Sequence, residues 1–132
     1  MTDLLTRIEQ NQPVEAQELF DYIVEAIVKQ GRPSVGDNDR CLYRGPDGLK
    51  CAAGHVIPDS FYSARIEENT GVLQLSLKGR LPKSLVPHVD LISYLQDAHD
   101  AASKYADFLR IFMQEAECLA SRFNLKPHGQ PT

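Results

Sequence analysis

The chain has 132 residues, 42% of them apolar and 24% charged, with a formal net charge of −4. That length suits one domain and that balance suits a folded globular one, which argues against a disordered or fibrous chain. No stretch nears the roughly 18 uninterrupted apolar residues of a membrane span, and the N-terminus lacks the basic-then-apolar order of a secretory signal, so a cytoplasmic location without membrane contact is expected.

The first predicted element is a short helix around Leu4, Leu5 and Ile8. A longer one follows over 13–30: Pro13 suits a first turn, and Ala16, Leu19, Ile23, Ala26 and Ile27 recur at three- and four-residue steps before Gly31. Glu15 and Glu18 near its start and Lys29 near its end match the helix dipole. Residues 32–83 hold six of the eight glycines and four of the eight prolines, a composition of loops and short elements. Within them Gly45-Pro46-Asp47-Gly48 predicts a tight reversal, with 41–44 and 49–51 as the arms of a small hairpin. A helical turn is expected over 52–56, and Asp59 can cap a short helix to about Glu67, stopped by Asn69-Thr70-Gly71. Leu73, Leu75 and Leu77 alternate with Gln74 and Ser76, the period of a half-buried strand.

Helical spacing returns over 87–102, with Val89, Ile92, Leu95, Ala98 and Ala102 on one stripe behind Pro87. The last helix, 103–123, carries Tyr105, Phe108, Leu109, Phe112, Ala116, Leu119, Ala120 and Phe123 on one wide apolar face. Asn124 suits a left-handed cap, Leu125 can fold back on the last turn, and Pro127 forbids continuation. The expected fold is α+β and predominantly helical. Three main amphipathic helices close one core, and the middle third packs across them as an irregular hairpin-and-strand cap. It forms a single domain over 1–132: N-terminal helices at 1–31, the loop-rich cap at 32–83, a helical pair at 84–125 and a frayed tail at 126–132.

The pattern Cys41-x-Tyr43-Arg44, then Gly48-x-Lys50-Cys51-Ala52-x-Gly54-x-x-Ile57-Pro58-Asp59, then Leu95-Gln96-x-x-His99-Asp100, resembles a group of small uncharacterised proteins of bacteria, phages and mobile elements. Phe123-Asn124-Leu125 is similar to their C-terminal end, and the likeness spans roughly residues 15–125. It implies no activity, substrate or cofactor. In that pattern the place of His55 need not hold a ligand, which weighs against a metal role common to the group.

Four constellations could carry chemistry. Cys41, Cys51 and His55 offer zinc-type ligands, with His99 or Cys118 as a fourth, but Cys41 and Cys51 stand ten positions apart where structural zinc pairs stand two to four apart. Buried structural thiols are therefore expected, with no metal and no cofactor. Cys51 or Cys118 with His55 or His99 could form a nucleophile and base, although no local signature surrounds either cysteine. Gln96, His99 and Asp100 end an apolar stripe, where a histidine commonly hydrogen-bonds a loop and would tie the helices to the cap. Finally, residues 32–83 carry eight bases and six acids between two acidic flanks, with Tyr43, Phe61 and Tyr62 interleaved. Arg40, Tyr43, Arg44, Lys50 and Arg80 are the candidate contact residues there.

The reading that follows is a non-enzymatic protein-binding module whose partner is a protein or ribonucleoprotein complex. Given the resemblance, one concrete form is an inhibitor of a host defence complex, of the anti-CRISPR kind. The acidic helices would face a basic nucleic-acid channel and the hairpin near Arg44 would make a second contact. A regulator binding nucleic acid directly through the basic middle is the alternative, and a small metal- or thiol-dependent enzyme ranks third.

Overall fold

A computed structural model describes residues 3–37, 40–68 and 71–128. Among these the chain is mostly helical: α1 (Leu4–Glu9), α2 (Ala16–Gln30), α3 (Val72–Leu77), α4 (Val89–Ala102) and α5 (Phe108–Arg122). Single 3₁₀ turns at Pro46–Gly48, Ala53–Val56, Asp59–Phe61, Ala64–Glu67 and Lys83–His88 link them. No described helix is long and apolar enough to cross a membrane.

The long helices bury the faces that their spacing predicts. Leu19, Phe20, Ile23, Val24 and Ile27 of α2 meet Leu91, Ile92, Leu95 and Ala98 of α4 and Phe108, Phe112, Ala116 and Leu119 of α5 in one core. α2 starts at Ala16 rather than at Pro13, because the Glu18 carboxylate accepts from the Glu15 amide and closes the first turn there. Pro87 falls inside the Lys83–His88 turn, so α4 begins only at Val89. α5 begins at Phe108, which leaves Tyr105 outside the helix and 59% exposed instead of on its apolar face.

Three helices end in the same way. After α1, α3 and α5 a residue with positive φ (Asn11, Gly79, Asn124) lets the next amide reach back to the last turn. Those bonds run from Gln12 to Arg7, from Arg80 to Leu75 and from Leu125 to Ala120.

Three expectations for the middle third fail. Residues 73–77 form no strand; they lie in α3, which turns Val72 and Leu75 inward at a three-residue step and leaves Leu73 and Leu77 outside. The hairpin reduces to two isolated antiparallel bridges, Val35 with Cys41 and Arg44 with Lys50, and no sheet forms among the described residues. The reversal itself is present, with Asp47 and Gly48 at φ 58° and 75°. The helix expected from Asp59 to Glu67 breaks into two turns, and its stop at Asn69-Thr70 lies outside the described residues. Lys126 is held to α2 through both its amide and its carbonyl on the Gln17 side chain; the tail beyond His128 lies outside the described residues.

The segment 51–58 is no surface lid. Cys51, Ala52, Ala53, Gly54, Val56 and Ile57 are buried, and the Ala53–Val56 turn packs on both α2 and α4. Small side chains permit that approach. A Cβ placed on Gly54 would stand 2.1 Å from the Tyr43 carbonyl oxygen, a backbone atom with no rotamer to yield. Gly54→Ala is therefore expected to destabilise the fold by about 3 kcal/mol, read as a lower urea midpoint at unchanged slope. A midpoint equal to wild type would contradict this packing.

Candidate functional site

Gln96, His99, Asp100 and Ser103 recur at three- and four-residue steps along α4 and its exit, and they meet the loop-rich segment there. His99 is fully buried, its ring edge-on to Phe108 at 5.5 Å between centroids. The Ser34 amide donates to His99 Nε2 at 3.1 Å. That bond makes Nε2 the acceptor and leaves the ring proton on Nδ1, which donates to Asp100 Oδ1 at 3.0 Å. Gln96 Nε2 donates to the same oxygen at 2.8 Å, while Gln96 Oε1 accepts from the Ala53 amide at 2.9 Å. The Ser103 hydroxyl closes the set by donating to the Asp100 carbonyl at 2.6 Å. One polar stripe thus satisfies two backbone amides from two separate loops.

A second clamp lies within the middle third. The Glu67 carboxylate accepts from the amides of Tyr43 and Arg44, both at 2.9 Å, and from the Tyr62 hydroxyl at 2.8 Å. The Arg44 guanidinium donates to Asp59 at 2.7 Å and to the Ile57 carbonyl at 3.2 Å, over the Tyr62 ring. Arg44 is thereby engaged inside the fold, and Tyr43 is buried. Lys50 is half-buried beside Gln30, which exchanges two hydrogen bonds with its backbone. Of the five expected contact residues, Arg40 and Tyr43 line one cleft, whereas Arg80 stands at the end of α3.

The structure does not group Cys41, Cys51 and His55 as a donor set. Among the described residues the close set is Cys41, His99 and Asp100, with one donor atom from each within 4.8 Å of the others. The hydrogen bonds speak against a metal there. To ligate through Nδ1 the ring would give up its bond to Asp100 and turn an N–H toward the Ser34 N–H, two donors face to face.

Nor do the thiols sit as activated nucleophiles. Burial, chiefly, pushes Cys41 up to about 11 and Cys51 further still, so both are protonated near neutrality, and Cys118 is exposed on α5. His55 is half-buried with Nε2 sealed from solvent and unpartnered. Burial first, then the charge of Lys50 and the nearness of His99, lowers its pKa to about 4.

Between α4 and residues 40, 41, 43, 67, 71 and 72 runs a cleft of about 320 Å³. Tyr43, Cys51 and Val72 are buried residues beneath it, and Arg40, Glu67, Asp97, Asp100 and Lys104 bring charge to its walls. Spacing alone gave no notice of this cleft, because Arg40 and Lys104 are far apart in the chain. Arg40, Tyr43, Gln96 and Asp100 are named from the sequence, but as parts of two separate groups, and Asp97 is not among them.

His99→Leu removes the acceptor of the buried Ser34 amide and one donor to Asp100, and is expected to cost about 3 kcal/mol in urea unfolding. A loss below about 0.5 kcal/mol would show that the network adds nothing. For His55 the folded pKa is the lower one, so the unfolded chain binds the extra proton. Stability should fall as pH drops from 6.5 toward 4, by about 2 kcal/mol after allowance for partial exposure. His55→Leu should flatten that slope relative to wild type; parallel curves would contradict the assignment.

Family models, curated proteins and solved structures were each compared with the chain, and none of them matches it.

Proposed function

We propose that the protein is a non-enzymatic binding module that docks an acidic protein partner through the segment 71–89. The observation that carries this reading is the surface of that segment. Leu73, Leu77 and Val86 are 52%, 73% and 49% exposed, three of the six most exposed large apolar side chains described. The same nineteen residues contain Lys78, Arg80 and Lys83 and not one acid, in a chain whose net charge is −4. None of the three cations has an ion-pair partner among the described residues.

Apolar exposure within one segment that also carries uncompensated charge favours a complementary macromolecule, with the leucines supplying buried area and the cations steering the encounter. Leucine and valine offer nucleic-acid bases no stacking face, and Tyr43 and Tyr62 are occupied inside the fold, so direct nucleic-acid binding has less support. The more specific form, an inhibitor of a host defence ribonucleoprotein, rests on the sequence resemblance alone. Arg44 lends it no second contact, being engaged with Asp59 and Ile57.

The test is affinity capture from a bacterial host with the wild type, with Leu77→Asp and with Lys29→Gln as a surface control. One stoichiometric partner is expected with wild type and control, reduced at least tenfold by Leu77→Asp. Equal recovery by all three chains, or no partner at all, would overturn the reading.

A further inference from the structure

A different surface carries a second inference, independent of the docking segment. The cleft beside α4 is lined by five charged side chains: Glu67 and Asp100 are held by hydrogen bonds, and Arg40, Asp97 and Lys104 have no partner among the described residues. Its volume of about 320 Å³ falls in the range of small-molecule sites. Tyr43 and Cys51, both buried, give it an apolar floor, and α4 gives it a rigid wall.

The charges are ordered along the cleft. Cys41 marks one end: its sulfur lies 3.5 Å from the Ser103 hydroxyl and within 4.8 Å of an Asp100 oxygen. Arg40 adjoins Cys41 and Lys104 adjoins Ser103 in the chain, both line the cleft, and the charge of Lys104 acts on the Cys41 thiol. Asp97 lies one helical turn back along α4 from Asp100, with their Cβ atoms about 5–6 Å apart. Asp100 uses only Oδ1 for its two side-chain hydrogen bonds, and Asp97 uses neither oxygen. Burial, and then the neighbouring Asp100 carboxylate, raises the pKa of Asp97, and a ligand cation beside it relieves that cost.

We propose that this cleft binds a free basic α-amino acid. The ligand carboxylate pairs with Arg40 and Lys104, its α-ammonium meets Asp100, and its side-chain cation reaches Asp97 one turn away. The apolar floor carries the methylene chain. Each ligand charge then meets a protein charge that otherwise has no protein partner or only half of one.

Isothermal titration of the full chain with L-arginine, L-lysine, norleucine and agmatine tests this. Norleucine lacks the distal cation and agmatine lacks the carboxylate. Arginine or lysine should bind with Kd below about 1 mM, and the two truncated analogues at least tenfold more weakly. Asp97→Asn should reduce lysine to the level of norleucine, and Arg40→Gln should reduce arginine to the level of agmatine. Neither side chain has a partner among the described residues, so folded variants are expected, and circular dichroism verifies it; Lys104→Met tests the carboxylate end again. No heat from arginine or lysine at millimolar concentration, equal binding of norleucine or agmatine, or binding indifferent to these substitutions would overturn the assignment.

Discussion

The hydrogen bond from the Ser34 amide to the buried ring of His99 decides how the loop-rich third of this chain joins its helices. A loop carries backbone donors that regular structure does not satisfy, and such a donor can enter a core only where an acceptor waits for it. α4 supplies two. His99 takes the Ser34 amide and Gln96 takes the Ala53 amide, while Asp100 fixes the orientation of both side chains through one oxygen. With those amides satisfied, Ala52, Ala53, Gly54 and Val56 can lie against α2 and α4 and add apolar burial from a segment without regular structure. The arrangement also fixes the histidine tautomer, and through it the chemistry open to the ring. A histidine that accepts on one nitrogen and donates on the other from full burial is poorly placed to ligate a metal or serve as a base.

Legibility in the sequence followed the length of each element. α2, α4 and α5 each repeat their apolar spacing over several turns, and those stripes are the ones buried. The stop at Asn124 was readable because an αL-tolerant residue, an apolar residue and a proline follow one another. Residues 72–77 were not readable by period, since six residues with leucine at every second place satisfy both a strand and a helix. The signal that separated them was Gly79, whose positive φ closes α3 as Asn124 closes α5. The hairpin arms failed for a tertiary reason: the Tyr43 and Arg44 amides are taken by Glu67 and the Lys50 amide by Gln30, so the ladder does not extend beyond the Arg44–Lys50 bridge.

The candidate sites were legible in part. Gln96, His99 and Asp100 could be placed together because they lie on one helix, but their partners Ser34 and Ala53 are distant in the chain and carry no pattern of their own. The basic residues of the middle third misled as a group. A charge count does not distinguish Arg44, locked on Asp59 and Tyr62, from Lys78 and Lys83, which pair with nothing described. α3 separates the two surfaces considered for binding. Val72 borders the cleft with α4, and Leu73 and Leu77 face away from the core.

Residues 34 and 53 belong to the core through their hydrogen bonds to α4. Native-state hydrogen exchange of the wild-type chain reads this directly, because an amide bonded inside the core exchanges only when the structure opens around it. The Ser34 and Ala53 amides should exchange as slowly as those in the centre of α4. Exchange of either at the rate of an exposed loop, with α4 still protected, would contradict the account.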